Sequence, residues 1–232
     1  MDMNKTTIEW VVNPDGTQGY TWNPITGCLN SCLYCYARKI ANRFQGNFKP
    51  TFHEKRINDI FKLRKPSTVF VGSMSDTLGE WVELEWIDMI LQVTKIFPEH
   101  RFLFLTKNPN RYTKLKFPDN CFKGQTITGG RIKNFSFVFT GTDFISAEPL
   151  LEELYLPEDQ LKWLIIGALS VNGKPQTTKK EWILSLIEQA DSKRIPVFIK
   201  NSLYELYPEL PKRRDLPYLR LNKNPSRRGI ET

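Results

Sequence analysis

Short apolar runs that stop abruptly at polar residues recur along this chain, with amphipathic stretches between them. Thr68-Val69-Phe70-Val71 stops at Gly72-Ser73-Met74-Ser75-Asp76. Arg101–Leu105 stops at Thr106-Lys107, Trp163–Gly167 at Ala168-Leu169-Ser170, and Pro196–Ile199 at Lys200-Asn201. Phe137-Val138-Phe139 and Phe144-Ile145-Ser146 add one or two more, the second stopping at Ala147-Glu148-Pro149. A strand with no polar face needs cover on both sides, which is the condition of a parallel sheet in an α/β protein. The intervening stretches carry helical spacing. Leu84, Ile87, Ile90, Leu91 and Thr94 share one face of a helix predicted over 83–97, and a second helix is predicted over 180–192. Residues 120–144 fit neither pattern, and 126–130 read equally as strand end or loop. With one strand at Tyr20-Thr21-Trp22, the count is about six βα units, too few for a closed eight-unit barrel. The expected fold class is α/β, a partial (β/α)6 TIM-type barrel over 1–205. Residues 206–232 form a basic C-terminal extension packed on or beside it.

Composition narrows the classes further. Six Trp, eight Tyr and fifteen Phe supply a core, which excludes a disordered chain. At 232 residues a chain buries about 70–75% of its unfolded surface and needs no disulfide framework. Apolar stretches such as Trp163–Leu169 are far shorter than the roughly 20 residues that span a bilayer, and the N-terminus lacks a secretory h-region. A cytoplasmic, monomeric protein without membrane contact is expected. The formal charge of +8 suggests an anionic partner. Between Lys212 and Arg228 there are seven Lys or Arg and one acid, Asp215. Arg213, Arg214, Arg227 and Arg228 are the candidate contacts to nucleic acid; a solvated basic end is the alternative.

Cys28, Cys32 and Cys35 carry the chemistry, in a CxxxCxxC spacing followed by Tyr36. Three thiolates on one tight loop suit three corners of a cubic [4Fe–4S] cluster and leave the fourth iron free. The same thiolates completed by Cys121, His53 or His100 would make a zinc site, but structural zinc sites bring their ligands in pairs and no second pair exists here. Cys121 reads as a buried apolar residue, and His53 and His100 as surface or capping residues.

The spacing resembles the signature of the radical S-adenosylmethionine (SAM) superfamily. The resemblance implies that the free iron binds the amino and carboxylate groups of SAM. One electron from the cluster then cleaves SAM to methionine and a 5′-deoxyadenosyl radical, which takes hydrogen from the substrate. Ile8-Glu9-Trp10, Trp22–Cys28, Cys35-Tyr36-Ala37, Val69–Asp76, Leu105-Thr106-Lys107, Ser146–Leu151 and Phe198-Ile199-Lys200 resemble, more closely, an uncharacterised three-cysteine radical-SAM-type family of phages and prophages. Gly167-Ala168-Leu169-Ser170 departs from that family's Gly-x-Glu-Ser-Gly segment, so a polar group is missing there.

The resemblance gives the strand ends roles. Gly72, Ser73, Ser75 and Asp76 occupy the place that holds the SAM ammonium, with helix capping as the alternative. Lys107 and Lys200 are cations for the SAM carboxylate or an anionic substrate. Glu148 is a partner for ribose hydroxyls or a substrate donor, and Tyr36 shields the cluster or stacks on adenine. No side chain is singled out as the catalytic group. A flavodoxin or ferredoxin is the implied reductant. Two classes stand side by side: a radical SAM enzyme acting on an anionic substrate such as nucleic acid or nucleotide, and a non-catalytic iron–sulfur or zinc nucleic-acid-binding phage accessory protein. Polar groups at successive strand ends favour the enzyme.

Overall fold

The apolar runs lie side by side and all point the same way. The computed structural model describes residues 3–130, 141–157, 161–171, 173–176 and 178–220. Its main sheet has seven strands: β1 (Tyr20–Trp22), β2 (Thr68–Val71), β3 (Arg101–Thr106), β4 (Cys121–Thr126), β5 (Phe144–Ala147), β6 (Trp163–Ile166) and β7 (Val197–Ile199). Each pairs in parallel with its sequence neighbour, so the sheet order is the chain order. Four helices matter here: α1 (Tyr36–Gln45), α2 (Leu84–Ile96), α3 (Lys180–Ser192) and α4 (Asn201–Leu206).

The sheet curls into a partial barrel. Phe70 on β2 and Trp163 on β6 are four strands apart, about 19 Å if the sheet were flat. The Trp10 ring nevertheless sits 5.0 Å from Phe70 and 5.9 Å from Trp163. Leu103, Phe122, Phe144, Ile165 and Phe198 join these rings inside the curl. The outer face is covered by α2 against β1–β3 and by α3 against β5–β7. The fold is therefore the α/β partial barrel that the alternation implies.

Three details differ from the sequence reading. The strand it did not count is β4, whose Lys123-Gly124-Gln125 interrupts the apolar run. A Cβ on Gly124 would fall 2.1 Å from the Phe144 ring, so the strand is thinned to admit that ring. Leu84 is exposed, because it stands at the first position of α2; Val93 joins Ile87, Ile90, Leu91 and Thr94 in the buried stripe. His100 is neither a surface nor a capping residue: it is buried and stacks on Phe97, 5.6 Å between centroids. The expected run at 137–139 lies outside the described residues. Cys121 is buried among apolar side chains.

Residues 4–12 and 213–218 close the open side of the curl. Near the N-terminus, Thr6 N–H donates to Gly19 and Thr21 N–H to Asn4, along β1. Near the C-terminus, Ile199 N–H donates to Arg213 and Asp215 N–H to Val197, so 213–215 run antiparallel to β7. The chain then descends to Tyr218, which is fully buried among Phe122 and Trp163 at the amino ends of the strands. Its hydroxyl donates to the Trp10 carbonyl at 2.7 Å and accepts from Val12 N–H at 2.9 Å. No helix among the described residues is long and apolar enough to cross a membrane.

Candidate functional site

Parallel strands present all their carboxyl ends to one pole, and a cavity of about 660 Å³ opens there. Cys28, Cys32 and Cys35 line it from the loop after β1. Gly72, Ser73, Ser75 and Asp76 enter from the end of β2, Lys107 from β3, Glu148 from β5, Lys200 from β7, and Tyr36 from the start of α1. All four cysteines are free thiols. Among the described residues, no three His, Cys, Asp or Glu side chains are grouped to hold a single metal ion.

The cysteine loop is tied to the end of β2. Gly27 N–H donates to the Met74 carbonyl at 2.9 Å, and Asn30 donates to Asp76 Oδ2 at 3.1 Å. Gly27 has φ +85°, and a Cβ there would fall 2.0 Å from the Lys49 carbonyl oxygen, so only glycine lets the loop pass. Arg38 reaches back from α1 to the carbonyls of Cys28 and Asn30 at 3.3 and 2.6 Å. Cys35 is the N-cap of α1, its Sγ accepting from Arg38 N–H at 3.4 Å. Cys28 Sγ accepts from Asn30 N–H at 3.4 Å. Burial, seconded by the negative charge of Asp76, pushes the Cys28 thiol above its ordinary pKa.

Asp76 is the hub. Its Oδ1 accepts from Thr106 Oγ1 at 2.6 Å and from Leu78 N–H at 3.2 Å, and its Oδ2 from Asn30 and from Lys107 N–H at 3.0 Å. One buried carboxylate thus joins the cysteine loop to the ends of β2 and β3. Ser73 shares a hydrogen bond with Asn23, whose Oδ1 also accepts from Met74 N–H. The Tyr36 ring is half-exposed, but its hydroxyl donates to the Ser73 carbonyl at 2.7 Å. Enclosure of that hydroxyl, with the nearby Cys35 and Glu148, pushes it up to about 12.

On the far wall Glu148 and Lys200 form an ion pair. Gly167 makes room for it, since a Cβ there would lie 3.0 Å from Lys200 Cδ and 3.1 Å from Glu148 Cγ. Asp76 and Glu148 are therefore both satisfied within the protein. Lys107 reaches only the Tyr34 hydroxyl, at 3.0 Å, and has no carboxylate partner among the described residues. The cavity consequently keeps an unpaired cation for an anionic ligand.

The sequence reading missed a further wall of this cavity, the strap of residues 5–10. Glu9 Oε2 accepts from Asn201 N–H at 2.9 Å and from Arg214 at 2.6 Å, which latches the strap to the start of α4. Ile8-Glu9-Trp10 was legible as a motif, but no spacing signals a return to the far end of the sheet. Asn30, Arg38 and Tyr34 were missed likewise. Arg214 lies at the rim, over Phe198 and Tyr204. Arg213 is elsewhere, paired with Asp191 at 2.9 Å near the amino end of β7. Arg227 and Arg228 lie outside the described residues. His53 shares a hydrogen bond with Thr26 at 2.8 Å and does not reach the thiols.

A curled parallel half-barrel with a three-thiol loop at its carboxyl pole defines the class of protein. Residues 5–205 match the family described as Protein of unknown function (DUF5131), and the chain belongs to that family. No curated protein matches the sequence. Among solved structures, spore photoproduct lyase complexed with dinucleoside spore photoproduct is similar, with a TM-score of 0.49 and 12% identity over 84% of this chain. A mutant of spore photoproduct lyase gives a TM-score of 0.47 with the same identity. The chain spans 65% of the length of those structures.

Proposed function

We propose that this chain is a radical SAM enzyme, acting in a reducing compartment such as the cytoplasm. The observation that supports it is the convergence, on one cavity, of three free thiols from a single loop and polar groups from the ends of β2, β3, β5 and β7. Three thiolates at this spacing suit a [4Fe–4S] cluster with one open iron, and the loop is braced by Asp76 and Arg38 independently of the sulfurs. The cluster, when bound, supplies an electron for reductive cleavage of SAM and hence for hydrogen abstraction.

The chain's own groups then divide the work. Gly72, with φ +80°, brings the backbone close to the cofactor. Ser73 and Ser75 offer oxygens to the SAM ammonium, and Lys107 offers its charge to the SAM carboxylate. Asp76 acts mainly as the brace that aligns these groups. Glu148, held by Lys200, faces the cofactor's ribose or a substrate donor. The unpaired Lys107 favours an anionic substrate such as a nucleotide or nucleic acid.

Anaerobic expression with iron supplied tests the reading. The protein is expected to be brown, to contain about four iron and four sulfide per chain, and to release 5′-deoxyadenosine from SAM on dithionite reduction. Cys28→Ala, Cys32→Ala and Cys35→Ala should each abolish colour and cleavage. Stoichiometric zinc without iron would falsify it and leave a metal-binding accessory protein.

A further inference from the structure

The cavity keeps two polar groups that nothing in the fold uses. Residues two or four apart on a strand face the same way, so Thr126 on β4 and Ser146 on β5 point inward with Phe122 and Phe144 of the aromatic filling. The two are paired in register on adjacent parallel strands, whose spacing is about 4.8 Å. Both line the cavity, and Ser146 is only 1% exposed. Neither hydroxyl has a hydrogen-bond partner among the described residues. A buried hydroxyl left unpaired costs free energy, and two side by side on a cavity wall mark a place where a ligand supplies the partners.

The rest of the lining narrows the ligand. Ile8, Phe70 and Leu105 give the same cavity apolar surface. A sugar carries polar groups all round and would leave some of them unpaired there, whereas a planar heterocycle carries them at its edge and keeps apolar faces. A hydroxyl can donate or accept, so two neutral ones suit an edge where N–H and C=O groups alternate. The charged residues set the other end of the ligand. The carboxylates of the lining are all engaged: Glu9 by Asn201 and Arg214, Asp76 by four hydrogen bonds, and Glu148 by Lys200. Lys5, exposed on the strap, and Lys107 line the cavity with no carboxylate partner among the described residues. With Lys107 serving the SAM carboxylate, Lys5 is left for a second anion.

We propose that Thr126 and Ser146 hold the base edge of a nucleotide whose phosphate is drawn outward to Lys5. The proposal rests on the reading of this cavity as a radical SAM site and names its substrate class: a nucleotide, free or as one unit of a single strand. Strand pairing fixes the two hydroxyls relative to each other, so they select bases by the order of donors and acceptors along the edge. The apolar faces of the base meet Phe70 and Leu105.

The test is calorimetric binding to the full chain, with and without reconstituted cluster and SAM. The probes are the nucleoside 5′-monophosphates, short single-stranded RNA and DNA oligonucleotides, and ribose 5-phosphate, which lacks a base. At least one nucleotide or oligonucleotide should bind, and more tightly than ribose 5-phosphate. Thr126→Val and Ser146→Ala should each weaken that binding by roughly fivefold, and Thr126→Ser, which keeps the hydroxyl, should restore it. Circular dichroism and melting temperature check that each variant folds, and either single variant suffices for the comparison. Binding of free nucleotides assigns a free substrate, and binding of oligonucleotides alone assigns a unit within a strand. If no cluster forms, the radical SAM reading fails, and binding to the cluster-free chain still judges the nucleotide site. The proposal is overturned if neither form of the protein binds any nucleotide or oligonucleotide. It is equally overturned if ribose 5-phosphate binds as tightly as they do, or if Thr126→Val and Ser146→Ala bind like the wild type.

Discussion

Asp76 accepts four hydrogen bonds from three segments, so its charge is spent on architecture before any ligand arrives. Asp76→Asn keeps the shape but turns one acceptor oxygen into a donor facing donors. We expect a loss of about 1–3 kcal/mol in chemical denaturation, with the cysteine loop loosened. His100 is the opposite case: both ring nitrogens are buried without a partner among the described residues, and burial, opposed by the Glu99 charge, holds its pKa below the ordinary 6.5. The folded state therefore keeps the ring neutral while the unfolded chain takes up a proton below about pH 6.5, so stability falls as pH drops through that value. The slope should reach at most about 1.4 kcal/mol per pH unit. His100→Phe should flatten stability measured between pH 7 and 5, and an unchanged slope would show that other groups dominate.

At the scale of elements, the two terminal segments act as clamps. Tyr218 fixes the descending C-terminal segment to Trp10 and Val12. Tyr218→Phe leaves that buried N–H and carbonyl without their partner, at a cost of about 1–3 kcal/mol. Arg214→Ala removes the latch on Glu9 from a half-exposed site, where an ion pair contributes less than about 1 kcal/mol. Its effect should be local: faster hydrogen exchange in residues 5–10 with little change in melting temperature. Uniform acceleration of exchange across the sheet would instead make the latch part of the global core.

For the whole molecule, curvature depends on the aromatic filling. Trp10 touches rings from β2, β5 and β6, and its indole N–H is itself buried without a partner among the described residues. Trp10→Ala should cost about 3–5 kcal/mol and reduce the cooperativity of unfolding, because it empties the space between both clamps and the sheet. Trp10→Phe, which removes the unsatisfied N–H along with part of the ring, should cost markedly less in the same denaturation assay.

The sequence alone determined the parallel sheet, since runs such as Trp163–Ile166 have no polar face and must be covered on both sides. It also determined the helix over 180–192 and the cysteine loop, because spacing and residue type are local properties. Strand direction then implied that Ser75, Lys107, Glu148 and Lys200 share a pole with the cysteines, which the topology places around one cavity. Only the tertiary structure decided which of those charges stay available. The bracing role of Asp76, the pairing of Glu148 with Lys200 beside Gly167, and the unpaired Lys107 all depend on contacts between residues distant along the chain. The same holds for β4, whose broken apolar pattern reflects the bulk of Phe144, and for residues 213–218, which run from the rim toward the opposite pole because Tyr218 finds its partners there. Local pattern reports what a segment must bury; which charges cancel depends on what packs against it.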